Sequence, residues 1–326
     1  MERQEYHLIQ RYVGRWGDNG WWRPVVGILL LVVMMLLFVQ LALIVALTIG
    51  LFLLGSDDVS DDVQRILDTD HVTPGGLAYL NISLAAAIPV AILIALVLHR
   101  LRPGWLASVV GRLRWKWLVV CLGLSFVALL ATIFVSLFIP AQGDGSELSG
   151  TVNDWTPEVR NFLLVIVFLT PLQAAGEEYA FRGYLTQAFG GLFAPLGAGA
   201  ARAFAVLAPA LLFALAHGAQ DLPVFFDRFA FGVVAGILVI ATGGLEAGIA
   251  MHVLNNFLAF GLALAYSDMS SALNPTGGSW WNIPVTLTQS LVYLGVAIWA
   301  ARRMGIATTL GPGPAPNVLE GSEPRV

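Results

Sequence analysis

Gly176-Glu177-Glu178-Tyr179-Ala180-Phe181-Arg182-Gly183 ends a long apolar run and sets two adjacent carboxylates and a guanidinium at the end of what otherwise reads as a membrane-crossing helix. Each charge placed in a bilayer costs roughly 2.5–3.5 kcal/mol on insertion scales. A chain that keeps three together is using them. Two later stretches answer it. Phe213-Ala214-Leu215-Ala216-His217 and His252-Val253-Leu254-Asn255-Asn256 each put an imidazole into an apolar helix. The expectation is that Glu177, Glu178, Arg182, His217, His252 and Asn256 meet in one intramembrane site.

The surrounding chain supports a membrane setting. It is 57% hydrophobic and 12% charged over 326 residues, about half the charge of a soluble domain. About 20 apolar residues cross a bilayer, and the apolar blocks predict eight spans, at 25–54, 77–99, 116–139, 160–187, 200–220, 223–242, 245–266 and 283–302. The fold class is therefore all-α, a polytopic membrane protein with about eight transmembrane helices around an intramembrane catalytic cavity. Cys121 is the single cysteine and excludes an internal disulfide; in an apolar helix it reads as a packing residue. Lys116 is the single lysine, which argues against a basic nucleic-acid surface. There is no zinc-ribbon spacing and no glycine-rich phosphate loop.

The loops set the topology. Asp57, Asp58, Asp61, Asp62, Asp68 and Asp70 fill the first, against Arg65. The next holds Arg100, Arg102, Arg112, Arg114 and Lys116, and the third is acidic again, with Asp144, Glu147, Asp154 and Glu158. The last span ends on Arg302-Arg303. By the positive-inside rule both termini are expected in the cytoplasm of a multi-pass protein of the cell membrane. Three segments follow: a cytoplasmic N-terminal piece at 1–23, a single transmembrane domain at 24–303 with its motif core at 160–262, and a disordered Gly- and Pro-rich tail at 304–326. In the first piece Ile9, Tyr12, Val13 and Trp16 recur at helical spacing among Arg3, Arg11 and Arg15, which suggests a helix lying on the membrane surface; a frayed tail fits as well. The following apolar run is too long for a signal-peptide core, so no cleavage is expected.

Within the constellation, Glu178 and Arg182 lie one helical turn apart and can pair. Glu177 is rotated by about 100° from Glu178 and is expected to point elsewhere, as the available carboxylate. A carboxylate in an apolar pocket is a stronger base than one in water, which suits general-base work. The bland alternative is a buried ion-pair network that only fixes helix packing, for which a second glutamate is unnecessary. A lone histidine such as His217 is more often a satisfied core residue than a ligand. His252 and Asn256 share a face, and the amide can bond a ring nitrogen, an oxyanion or a water. His7, His71 and His99 lie in termini or loops and look unremarkable. Depth raises a difficulty: Glu177 and His252 fall in the same half of their spans, and His217 near the far end of its own. A late or oblique helix, or a water-filled cavity, would accommodate it.

The pattern E-E-x-x-x-R, then F-x-x-x-H, then H-x-x-x-N resembles that of the type II CAAX prenyl endopeptidases and their bacterial relatives, the CPBP intramembrane proteases. Glu177-Glu178 with Arg182, Phe213 with His217, and His252 with Asn256 match its fixed positions, and Gly183 after the arginine is also usual. The resemblance covers about residues 160–262. It implies an eight-helix fold enclosing a catalytic cavity and hydrolysis of a peptide bond at the membrane. Eukaryotic members cleave prenylated proteins, and some bacterial relatives are linked to bacteriocin processing or self-immunity. The implied partners are membrane lipid and a membrane-associated protein or peptide substrate, lipidated ones included, with no nucleic acid. In such an enzyme Glu177 deprotonates a water, His217 orients it, and His252 with Asn256 stabilises the oxyanion.

A metal is the variant of this chemistry. Glu177, His217 and His252 could hold a divalent metal such as zinc with a position open for water; the family is described both as metalloprotease and as glutamate-dependent, and the sequence leaves this open. There is no H-E-x-x-H motif, and Gly143-Asp144-Gly145 sits in an acidic loop, a poor place for an aspartyl protease helix. The rivals from other classes are a non-catalytic scaffold or immunity protein and a proton-coupled transporter, since buried Glu, Arg and His also form proton relays. The absence of an internal repeat weakens the transporter reading.

Overall fold

The computed structural model describes residues 5–12, 20–136, 138, 151–218, 221–273, 278 and 280–311. Among them are eight helices long and apolar enough to cross a membrane: α1 (Trp22–Leu53), α2 (Pro74–His99), α3 (Trp115–Val135), α4 (Pro157–Leu196), α5 (Ala198–Ala216), α6 (Leu222–Thr242), α7 (Glu246–Tyr266) and α8 (Ile283–Arg303). The chain is a multi-pass, all-helical membrane protein. Extended pairing among the described residues is limited to isolated bridges, Glu5 with Thr309 and Ser108 with Gly244.

Local sequence sets the helix starts. The side chains of Thr73, Thr156 and Asp221 each accept a backbone N–H of the first turn of α2, α4 and α6, and a proline follows each cap. Such caps satisfy amides that have no partner within the helix. α6 stops at Gly243, whose φ of +69° suits glycine. α7 is the most buried of the eight and α1 the least. One core cluster joins α1, α2, α4 and α7, and a second joins α3, α6, α7 and α8. At Gly176 a Cβ would collide with the Leu84 carbonyl of α2, so glycine lets α2 and α4 touch backbone to backbone.

One end of the bundle collects the N-terminal segment, the 100–114 loop, the α6–α7 turn and the residues after α8. Tyr6 Oη donates to Leu106 O at 2.5 Å, Val109 N to Gly243 O at 2.9 Å, and Arg114 Nη1 to Ala307 O at 2.9 Å. The described residues near the two termini thus lie at the same end of the bundle as the basic loop. Of the tail expected from 304, residues 304–311 follow α8 along this end; 312–326 lie outside the described residues. So do Arg3, Val13, Arg15, Trp16, Asp144 and Glu147.

Three expectations change. The fourth span runs to Leu196 rather than 187. The extension is covered by the N-terminal segment, in which Tyr6, His7, Ile9 and Gln10 are buried. Gly190 sits against the His7 carbonyl, and Gln187 Nε2 donates to Trp105 O at 2.9 Å. The described part of that segment therefore packs on protein through these residues. His7 and His99 are likewise not bland: both are 1% exposed, and His99 Nε2 lies 2.8 Å from Tyr184 Oη.

Candidate active site

α4 changes its winding at the glutamates. Glu177 ends an α-helical stretch, and Glu178–Leu185 is wound as a π-helix, a form enriched at functional sites. Thr186 Oγ1 donates to Phe181 O, five residues back, at 3.2 Å. The wider turn changes the angular step that an ideal α-helix would impose. Glu177 therefore does not point away from Glu178. Both carboxylates reach the same imidazole across the α4–α7 contact: His252 Nδ1 is 3.0 Å from Glu178 Oε1, and His252 Nε2 is 3.2 Å from Glu177 Oε2.

The expected pair of Glu178 with Arg182 is present, at 3.1 Å. Its form differs from a hydrogen-bonded bridge, because the guanidinium has no hydrogen bond of standard geometry among the described residues. Arg182 instead lies over aromatic faces, 4.3 Å from the Phe213 centroid and 5.9 Å from those of Phe181 and Phe231. Such faces attract a cation. With both carboxylates ionised, each nitrogen of His252 donates, and the four residues hold two negative and two positive charges. Gly248, one turn before His252, makes room for this: a Cβ there would sit 2.5 Å from Glu178 Oε2.

Phe213 links α5 to the cluster. Its ring contacts His217 at 4.7 Å and His252 at 5.8 Å between centroids. His217 stands just past the end of α5 with its Nδ1 2.7 Å from Phe213 O. A carbonyl only accepts, so Nδ1 carries the proton and Nε2 is left as an acceptor. The depth difficulty disappears because α4 is long. Thr186 bonds Ala205 O at 3.0 Å, and Phe181 meets Phe213 at 5.3 Å. Glu177 and His217 are thus equally far from the Gly197 turn, on antiparallel helices.

Asn256 does not bond His252. Its Nδ2 donates to Gln173 Oε1 at 2.9 Å, and Gln173 Nε2 donates to Glu177 Oε2 at 2.7 Å. Gln173 is a residue the motif search passed over, although a polar amide one turn before Glu177 in an apolar run was visible. Phe231 of α6, 5.3 Å from His252, and Gly248 carry no sequence signal of their own.

The donors do not fit a metal as they are placed. Among the described residues no group of three or more His, Cys, Asp or Glu could hold an ion. His252 turns both nitrogens to carboxylates, and His217 turns one to its own helix, so the proposed set of Glu177, His217 and His252 would first have to come apart. The metalloprotease form of the reading is not supported. A pocket of about 590 Å³ between α6 and α8 is lined by apolar side chains such as Phe226, Trp280 and Leu287, and by none of the six candidate residues.

Residues 159–258 match a family model described as type II CAAX prenyl endopeptidase Rce1-like. Over 149 residues the chain is 31% identical to the uncharacterized protein YyaK of Bacillus subtilis (strain 168), a match covering 42% of this chain and 48% of that protein. The chain thus spans about half the length of this curated relative. No solved structure matches it.

Proposed function

We infer, from a chain that carries an Rce1-like type II CAAX prenyl endopeptidase domain over residues 159–258, that this membrane protein is an intramembrane protease acting through Glu177. The observation that carries the reading is the difference between the two glutamates. Glu178 is fully enclosed, whereas Glu177 keeps 8% of its surface accessible. The enclosed carboxylate shares one oxygen between Arg182 and His252 and serves to hold α4 and α7 together. The other can meet a water.

In the proposed reaction a water oxygen attacks the scissile carbonyl carbon while its proton passes to Glu177. His217, with Nε2 open as an acceptor, orients that water. The carbonyl electrons move onto oxygen, and the oxyanion is stabilised by the second Nδ2 hydrogen of Asn256 and by the positive charge of His252, whose own N–H groups stay on the carboxylates. Collapse breaks the C–N bond, and the amine leaves with the proton held by Glu177. A positioned base of this kind contributes about 10²–10⁴-fold. The substrate class is a membrane-associated protein or peptide, including lipidated ones. The end of the bundle that carries the basic loop is assigned to the cytoplasm.

The test is cleavage of a panel of lipidated and unlipidated membrane-anchored peptides in proteoliposomes, with products identified by mass spectrometry. The wild type is expected to release a defined fragment and Glu177→Gln none. Equal fragment release by both would overturn the assignment. A scaffold or immunity function would instead survive Glu177→Gln in a cell-based assay.

A further inference from the structure

We propose that Gln173 is a positioning residue that couples Asn256 to Glu177 and fixes the orientation of both. The inference rests on the protease reading for its catalytic consequence and on geometry alone for its existence. Gln173 is 6% exposed, one helical turn before Glu177, and it makes both of its amide contacts inside the site. An ionised carboxylate can only accept hydrogen bonds. The end of Gln173 that faces Glu177 Oε2 must therefore be the NH2 group. Its other end is then the oxygen, and Asn256 must turn its own NH2 toward it. One carboxylate thus dictates the setting of two amides on two helices.

The consequences reach the chemistry. Glu177 Oε2 is held between Gln173 and His252, which fixes the carboxylate plane and leaves Oε1 as the oxygen for water. Asn256, held by one N–H, keeps its second N–H and its Oδ1 for the substrate. Without Gln173, Glu177 could rotate about its terminal torsion, which is soft, and Asn256 would lose its reference. Small displacements of catalytic groups cost large factors in rate. The contribution is expected in the chemical step rather than in substrate binding, because Gln173 makes its contacts to the base and not to the peptide.

The experiment uses the full chain in nanodiscs. The infrared carboxylate bands of Glu177 are assigned by their loss in Glu177→Gln, and cleavage kinetics are measured alongside. Gln173→Met keeps the length and removes both hydrogen bonds. It is expected to shift the Glu177 bands, to lower kcat about tenfold or more, and to leave KM within about twofold. Added to Asn256→Ala, which also removes an oxyanion donor, Gln173→Met should cost less than it does in the wild type. Should Gln173→Met not fold, Gln173→Leu gives the same readout, since it also removes both hydrogen bonds and adds no charge or carboxylate band. Unmoved Glu177 bands in a folded variant, or additive effects of the two substitutions, would overturn the coupling. A wild type that cleaves nothing while its bands still shift on Gln173→Met would sink the protease reading and leave the coupling standing.

Discussion

Two arginine–glutamate pairs with enclosed carboxylates lean on the first turns of α7, and they are built in opposite ways. Arg114 with Glu246 is saturated. The backbone N and Nε of Arg114 donate to Glu246 Oε1, both at 2.8 Å; Nη2 donates to Oε2 at 2.6 Å and to Thr242 O at 3.0 Å, and Nη1 to Ala307 O at 2.9 Å. Arg182 with Glu178 is closer to a bare contact. The guanidinium rests on aromatic rings, and Glu178 Oε2 has no hydrogen-bond partner among the described residues. A buried pair stabilises only when its remaining donors and acceptors are met. The first pair therefore reads as a clamp that ties the α6–α7 turn to α3 and the residues after α8. The second keeps unmet capacity beside a histidine and a second carboxylate, as expected where charges must shift during a reaction.

The comparison breaks most sharply on activity. Glu177→Gln is expected to lower turnover per folded molecule about 10²–10⁴-fold with little change in unfolding. Glu246→Gln should reduce the folded yield and leave turnover per folded molecule near wild type. Comparable turnover losses in both, measured on monodisperse protein, would erase the division between working site and clamp.

Stability gives the next contrast. Arg114→Met leaves Glu246 buried without its partner, a change that costs about 3–5 kcal/mol. Arg182→Met should cost less, because His252 still faces Glu178. Denaturant unfolding of the two variants side by side reads the order; a larger loss for Arg182→Met would mean that hydrogen-bond saturation does not separate the pairs. Smaller again is Gly248→Ala. The added methyl meets Glu178 Oε2, and overpacking of this kind costs about 1–3 kcal/mol. Because Glu178 would be pushed off His252, the variant should also lose activity. Alanine tolerated there with full stability and turnover would show that Glu178 has room to move.

What the sequence disclosed follows from the range of each signal. The eight spans were legible because apolar length alone marks them, and the three motif pairs because a helix brings residues four apart together. That the pairs converge was legible only through chemistry, since isolated charges and imidazoles in apolar helices need partners. The π-wound turn was not, because no residue preference announces it, and with it went the directions of Glu177 and Glu178. The length of α4 past 187 was hidden by Gly190 and Gly191, which read as a helix end, while Gly190 in fact serves the close approach of the His7 carbonyl. His7 and His99 were misjudged because nearness to a chain end or a loop says nothing about burial. Glu246 and Arg114 are 132 residues apart, so no spacing rule could pair them.

An exposed pair supplies the third point of the comparison. Arg202 of α5 donates through Nε to Glu5 Oε2 at 2.9 Å and through Nη2 to Oε1, a bidentate geometry like that of the clamp. Here the side chains are 56% and 26% exposed, so water competes for the same groups and salt screens them. The hydrogen bond from Arg202 holds the Glu5 carboxyl below its usual 4.5. A depressed carboxyl contributes stability that is present above the unfolded value and lost as pH falls through the folded one. The pair should therefore help near neutrality, begin to lose that help as pH falls below about 4.5, and give none below the depressed folded value. Solvent exposure limits the size to about 0–1 kcal/mol. Glu5→Gln is expected to lower the unfolding free energy by no more than that at pH 7, with a smaller difference at 1 M salt and none in acid. If Glu5→Gln cost as much as Arg114→Met, bidentate geometry rather than burial would govern these pairs, and the N-terminal segment would be a principal fastening of α5.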